Sequence, residues 1–399
     1  MKNLTDQVTF RHGSKIDTRT AQSPMLTNSG LNEKVTQSTI EYYSTRSQSA
    51  GMVIVEYTNV SPNGGPSRSW AKDREQLAIY KDTFIDGLTK IAQALKKDGN
   101  KAILQLAHSG REAAYRYTIG GQVEVPSKMD FPWIDYPLHE LTDDEVWQIV
   151  KDFGSATKRA IQCGFDGIEI HGANHYLIQQ FFSAFSNHRS DHWGGNLEKR
   201  MNFAIEVSRE VMKVVADYAP KNFIVGYRIS PEEIHGENVG YTWHESQKLV
   251  KKLTGSFDFD YVHLSTMNYA AKPTDSDQNY AQLLGKEIKS PTLEMIAGGI
   301  HTVEKMKDAL KYVDIVSLGR ATLIDPQIAY KLKTGLNKDI LLKFNEQSVK
   351  NAHLTPGLIE LLPNAPYFYM PGVEYLKTLS TVKLGDVVTH DGATNSKNN

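Results

Sequence analysis

Eight short β-rich runs, most of them largely apolar, recur along this chain, at about 20–25, 52–56, 102–106, 167–171, 223–229, 259–264, 292–297 and 314–318. Runs of this length, rich in Val and Ile and without the alternation of a half-exposed strand, read as strands covered on both faces, the kind found in parallel sheets. Helical periodicity fills the spaces between them, around 34–49, 82–97, 143–163, 197–218, 243–254 and 302–311. The third of these is the clearest. Thr142 and Glu145 form a capping box, and Val146, Ile149, Val150, Phe153, Ala156, Ala160 and Ile161 keep to one face. Gly164 stands just past the end, where a C-cap glycine belongs.

Parallel strands joined by helices form either an open doubly wound sheet or a closed (β/α)8 barrel. A doubly wound dinucleotide fold should carry G-x-G-x-x-G after its first strand, whereas this chain has SPMLTNSG from Ser23. Eight repeats favour the barrel. With no proline-rich or serine-rich linker between them, residues 1–399 read as one domain with a core of about 15–337. The surplus over a barrel of about 250 residues falls in four places. They are an N-terminal cap segment, long loops after strands three (about 109–141) and four, and a C-terminal extension from about 338 to 385. A polar tail, 386–399, reads as frayed.

A net charge of −1 leaves no electrostatic footprint for nucleic acid or an anionic membrane. The one cysteine, Cys163, excludes an intramolecular disulfide, a cysteine zinc site and a four-cysteine cluster. The start, MKNLTDQ, lacks an apolar signal region, and no apolar run approaches the ~18 residues of a membrane span. The expectation is a cytoplasmic enzyme acting on small molecules. The aromatic run at 367–369 is expected to be buried or at a subunit contact in a homo-oligomer.

In a barrel, the loops at the C-terminal ends of the strands build the site. Those positions hold Pro24, Met25 and Leu26; Glu56 and Tyr57; Gln105 and His108; Arg228; Gly298 and Gly299; and Gly319 and Arg320. Glycines after strands seven and eight with an arginine suit a phosphate, through close N–H approach and a bidentate cation. Arg228 at a strand end must face an anion or an electron-rich ring, and Gln105 offers a donor and an acceptor to a pyrimidine-like edge. The pattern describes a phosphorylated heterocyclic cofactor across the barrel mouth. After strand four come His171, Asn174 and Tyr176, able to hydrogen-bond a carbonyl and to pass a proton. Asn187, Arg189, Asp191, Gly194-Gly195 and Arg200 follow as a loop tied down by charge pairs.

Seven segments in order resemble the old yellow enzyme family of FMN-dependent ene-reductases. They are SPM from Ser23, VEYTNVSPNG from Val55, QLAHSGR from Gln105, and LTDDE…GFDGIEIHGANHYL…EKRMNF from Leu141. YRIS from Tyr227, AGGI from Ala297 and SLGRATLIDP from Ser317 complete the set. The resemblance implies non-covalent FMN, with NADH or NADPH as reductant and an enone or nitroalkene as substrate. It implies that Gln105 and Arg228 bind the flavin ring, with Pro24, Met25, Leu26 and Tyr57 beside it, and that Gly298, Gly299, Gly319 and Arg320 bind the phosphate. His171 and Asn174 would grip the substrate oxygen, beside Tyr57, and Tyr176 would donate the proton. Three positions depart from the family pattern: Leu26 for a Thr or Cys, Tyr57 for a small residue, and His175 for a glycine. Two other readings remain. One is an FMN-binding protein without catalysis. The other is a metal-dependent hydrolase using the i, i+4 pairs His171/His175 and His188/His192.

Overall fold

The computed structural model describes residues 2–66, 75–364 and 370–380. The aromatic run at 367–369 and the polar tail lie outside the described residues. The eight runs are eight parallel strands closed into a barrel: β1 (Thr20–Gln22), β2 (Met52–Asn59), β3 (Lys101–Ala107), β4 (Gly167–Gly172), β5 (Ile224–Ile229), β6 (Tyr261–Ser265), β7 (Leu293–Ala297) and β8 (Ile315–Leu318). The strand β1 is shorter than its run, because Ser23 makes the last bond, to Leu318, and Pro24 has no N–H to continue the ladder.

A helix follows each strand: α1 (Gln37–Ser44), α2 (Ile85–Lys96), α3 (Asp143–Gln162), α4 (Asn202–Tyr218), α5 (Trp243–Ser256), α6 (Tyr280–Gly285), α7 (Val303–Ala309) and α8 (Ile328–Lys333). The capping box at Thr142 and Glu145 is present on α3. The helical run at 197–218 divides at Met201, after a short helix Leu197–Arg200 that Asn196 caps.

Strand side chains alternate between two faces. One parity, including Val53, Val55, Leu104, Ile168, Ile170, Val225, Val262 and Val316, packs under the helices. The other points into the barrel, and its lower level is apolar: Ala21, Met52, Ile54, Ile103, Ile224, Tyr261, Met295 and Ile315. An N-terminal hairpin, Val8–Thr9 with Lys15–Ile16, adds Val8, Phe10 and Ile16 to that cluster and closes the bottom of the barrel. Gly226 makes room for the Tyr261 ring, which a Cβ there would approach to 2.1 Å. Gly226→Ala should therefore cost at least about 1–3 kcal/mol, read as a lower thermal midpoint; an unchanged midpoint would contradict this packing.

One level higher, the same inward parity becomes polar: Gln105, Glu169, His171, Arg228, His263 and Ser265. Ladder partners place Gln105 beside Glu169, and His171 beside Arg228, which in turn pairs with His263. The C-terminal segment packs back over the start of the barrel. Arg46 donates to Ala352 O at 2.7 Å, and Thr355 Oγ1 to Thr27 O at 2.6 Å.

Candidate active site

The register of β2 against β3 slips between Val55 and Thr58. A bulge re-aims side chains, and here it reverses the parity of two residues. Glu56 turns among Thr27 and Tyr43, accepting from Thr27 N–H at 3.1 Å, Thr27 Oγ1 at 2.5 Å and Tyr43 OH at 3.2 Å. Tyr57 turns over the mouth, its ring 5.0 Å from Tyr176 and 6.0 Å from His171.

Burial pushes the Glu56 carboxyl up from 4.5 to about 7, against the hydrogen bonds from Thr27 and Tyr43. The folded state thus holds this proton longer than the unfolded chain does. Through this group stability falls as pH rises from 4.5 to about 7. Glu56→Gln, which cannot ionise, should flatten the calorimetric midpoint over that window. Parallel midpoint–pH curves for variant and wild type would show that Glu56 is not the titrating group.

His171, the last residue but one of β4, is fully buried, its ring edge-on to Tyr176 at 4.9 Å. Neither ring nitrogen has a partner among the described residues. Burial, with Arg228 and His263 nearby, holds its pKa well below the ordinary histidine value. The imidazole is therefore neutral, with one donor and one acceptor. Asn174 follows in a left-handed conformation, φ 57°. Its N–H donates to Ser230 Oγ at 3.0 Å, and its Oδ1 accepts from Ser265 Oγ at 2.8 Å. Ser265 in turn accepts from Arg228 Nη2 at 3.1 Å. With its oxygen engaged, the Asn174 carboxamide presents its NH2 donors elsewhere. Tyr176 is the N-cap of the short helix Leu177–Phe182.

Below these residues runs a buried polar chain. Gln105 Nε2 donates to Glu169 Oε1 at 2.6 Å, and His263 Nδ1 meets Glu169 Oε2 at 2.9 Å. Burial raises the Glu169 carboxyl, but His263, Arg228 and Gln105 outweigh it and hold the group below its ordinary value. A carboxylate only accepts, so Glu169 fixes the Gln105 amide with Nε2 toward it and Oε1 away. That Oε1, like Arg228 Nε, is buried without a partner among the described residues. Glu169, His263, Ser230 and Ser265 belong to the site without standing out in the sequence. Glu169 stands two residues before His171, and His263 two before Ser265, so strand parity was the available signal.

After β7, Gly298 and Gly299 have φ of 155° and 64°, values that favour glycine. A Cβ on Gly298 would lie 2.4 Å from Thr266 Oγ1. Arg320 Nη2 lies 3.7 Å from the Cβ position of Gly299, so the two glycine–arginine segments meet. Arg320 opens the short helix Arg320–Ile324 behind Gly319, whose own Cβ position is 3.4 Å from Met25 Sδ. The Pro24–Met25–Leu26 segment thus borders the same cradle.

The remaining candidates divide. Arg189 pairs with Asp191 at 2.5 Å and reaches Leu141 O, while Arg200 binds Phe182 O and Glu245. Asn187 Nδ2 donates to Phe181 O and Trp193 O. These residues hold the loop, as expected. His108 is tied to Glu124 at 2.9 Å and accepts from Gly110 N–H. The hydrolase pairing fails on geometry. His171 lies in a strand, and His175, which like Asn174 has positive φ, meets Glu233 instead. His188 and His192 are elsewhere, His192 stacked on Trp147. Among the described residues, the group able to hold a metal is His175, Glu233 and His235.

Enzymes that hold a phosphorylated cofactor across a (β/α)8 barrel commonly place its phosphate after strands seven and eight, where this cradle lies. Comparison with known proteins narrows the class. Residues 8–339 match the NADH:flavin oxidoreductase / NADH oxidase family. Over 372 residues the chain is 37% identical to the probable NADH-dependent flavin oxidoreductase YqiG of Bacillus subtilis, covering 91% of this chain and 96% of that one. It is also 37% identical to the NADH:acrylate oxidoreductase of Vibrio harveyi, covering 89% of this chain but 35% of that longer protein. Morphinone reductase in complex with tetrahydroNAD shares the fold, with a TM-score of 0.73 at 23% identity over 87% of this chain and 94% of that one. The chain belongs to this family, the old yellow enzymes, and is an NADH- or NADPH-dependent flavin oxidoreductase that uses FMN. Among the described residues no helix is long and apolar enough to cross a membrane.

Proposed function

We propose that the barrel mouth is one continuous site for FMN and an α,β-unsaturated carbonyl or nitroalkene, whose C=C bond is reduced there. The observation that carries this reading is a group of buried polar atoms without partners among the described residues at one end of the barrel, including Gln105 Oε1, Arg228 Nε and both nitrogens of His171. Each such atom costs about 1–3 kcal/mol when left unpaired, so four together fit a site shaped to receive polar ligands. Gln105 and Arg228 meet the heterocycle edge. The cradle of Gly298, Gly299, Gly319 and Arg320 would take the phosphate, and the Leu26 N–H would serve the ring.

FMN, when bound, supplies the electron pair taken from NADH or NADPH. The chain's own residues do the rest. The His171 imidazole and the Asn174 amide hold the substrate oxygen, where negative charge grows as the β-carbon is reduced. Because His171 is neutral, it donates one hydrogen bond without placing a fixed charge in the site. Ser265 keeps the Asn174 amide turned so that NH2, not oxygen, faces the substrate. The Tyr176 phenol, packed between His171 and Tyr57, protonates the α-carbon. The Tyr57 ring narrows the space above the cofactor and selects for flat or small substrates.

Arg320→Ala should weaken FMN retention about 10- to 150-fold, the loss of one charge-assisted pair of about 1.5–3 kcal/mol. Equilibrium dialysis of the flavinated protein reads this directly. Retention equal to wild type, or release of FAD in place of FMN, would refute the phosphate assignment.

A further inference from the structure

His175 lies between Asn174 and Tyr176 in the chain, but its ring is engaged with a different element. Its Nδ1 is 3.3 Å from Gln179 Nε2, a contact a metal ion would displace, and 3.7 Å from Glu233 Oε2; on the other side of the same carboxylate His235 Nε2 is 3.2 Å from Oε1. Glu233 and His235 belong to the short strand Glu233–His235, which pairs with Asn238–Tyr241 as a hairpin after β5. One ligand atom from each of the three residues falls within 4.8 Å of the others.

Four tetrahedral donors at about 2.0–2.1 Å from a zinc ion stand about 3.4 Å apart. The two nitrogen–oxygen separations, 3.7 and 3.2 Å to different oxygens of the carboxylate, lie near that value, and with all three ligand atoms within 4.8 Å of one another the two half-buried imidazoles would turn inward to face one ion. The carboxylate is already anchored: Gln179 Nε2 donates to Oε2 at 2.7 Å and Ser183 Oγ to Oε1 at 3.1 Å. A carboxylate has about four acceptor positions, which leaves one on each oxygen.

The local charge also favours a cation. Arg111 Nη2 comes within 3.8 Å of Glu233, but its Nε is paired with Glu112 at 3.2 Å. Two carboxylates and one guanidinium leave the group net negative. Phe185 at 5.1 Å and Trp133 at 6.0 Å wall the His235 ring.

We propose that His175, Glu233 and His235 form a divalent transition-metal site that ties the loop carrying Asn174 and Tyr176 to the hairpin after β5. Two imidazoles and one carboxylate match zinc or a similar borderline metal, not calcium or magnesium, which take oxygen shells. The fourth position is open to water. Bound metal acts as a clamp on the segment that presents Asn174 and Tyr176, and it takes no part in hydride or proton transfer.

The test uses the FMN-loaded full chain, stripped with EDTA and titrated calorimetrically with zinc chloride. One zinc per chain is expected, with a thermal midpoint about 3 °C higher at a hundredfold excess over Kd. His235→Ala, on a partly exposed hairpin strand, should weaken zinc binding at least about 100-fold while leaving FMN content and the zinc-free midpoint unchanged. Glu233→Gln should abolish the same site. Copper(II) should quench Trp133 emission in wild type and not in His235→Ala. Absence of zinc binding to the wild type, or equal affinity in wild type and His235→Ala, overturns the proposal.

Discussion

Replacing both His171 and Asn174 with alanine is expected to slow enone reduction about 100- to 1000-fold, measured by stopped flow on protein first reduced with NADH under anaerobic conditions. Loss of one well-placed oxyanion donor typically has that size, and two donors on one oxygen need not add. The double variant should keep its FMN, because Gln105, Arg228 and the cradle are untouched. It should also lose the long-wavelength band that phenol ligands give on binding over the flavin, since a phenolate oxygen sits where the substrate oxygen does. Reoxidation by the enone at the wild-type rate would remove both residues from the mechanism. Reduction by the nicotinamide is the poorer test, because in the proposed site its carboxamide would use the same two donors.

Tyr176→Phe isolates the proton. The ring packs edge-on to His171 and against Tyr57 through its carbon framework, so removing the hydroxyl leaves the packing in place. Reduction by NADH should be unchanged, while cyclohexenone reduction falls by about 100-fold or more. The loss should be smallest for nitroalkenes, whose nitronate product is stable enough to leave and take its proton from water. Equal activity of the variant and wild type on cyclohexenone would mean that water or another group supplies the proton, with Tyr57, its ring 5.0 Å from that of Tyr176, the next candidate.

Sequence order alone carried the barrel, because mostly apolar strands without two-residue alternation, separated by helical spacers, have few closed solutions. It also carried His171, Asn174 and Tyr176, which are neighbours in the chain. What it did not carry depends on closure. Glu169 meets His263 across 94 residues, and only the shared ladder through β5 brings them together. The reversal of Glu56 and Tyr57 comes from a bulge that VEYTN does not announce. The helices α6 and α8 are six residues each, too short to show a periodic face. The i, i+4 spacing of His171 and His175 misleads for a local reason: Asn174 and His175 both have positive φ, so no helix presents the two rings on one side.

The central claim is that the unpartnered polar atoms at the barrel mouth receive an enone above FMN. Its most direct test is anaerobic: reduce the purified FMN protein with one equivalent of NADH, add 2-cyclohexenone, and follow the flavin absorbance while assaying the product. The account predicts full return of the oxidised spectrum, with one equivalent of cyclohexanone formed. A flavin that stays reduced with enones and nitroalkenes alike, and is reoxidised only when oxygen is admitted, would contradict it and make this chain an NADH-oxidising flavoprotein that passes its electrons elsewhere.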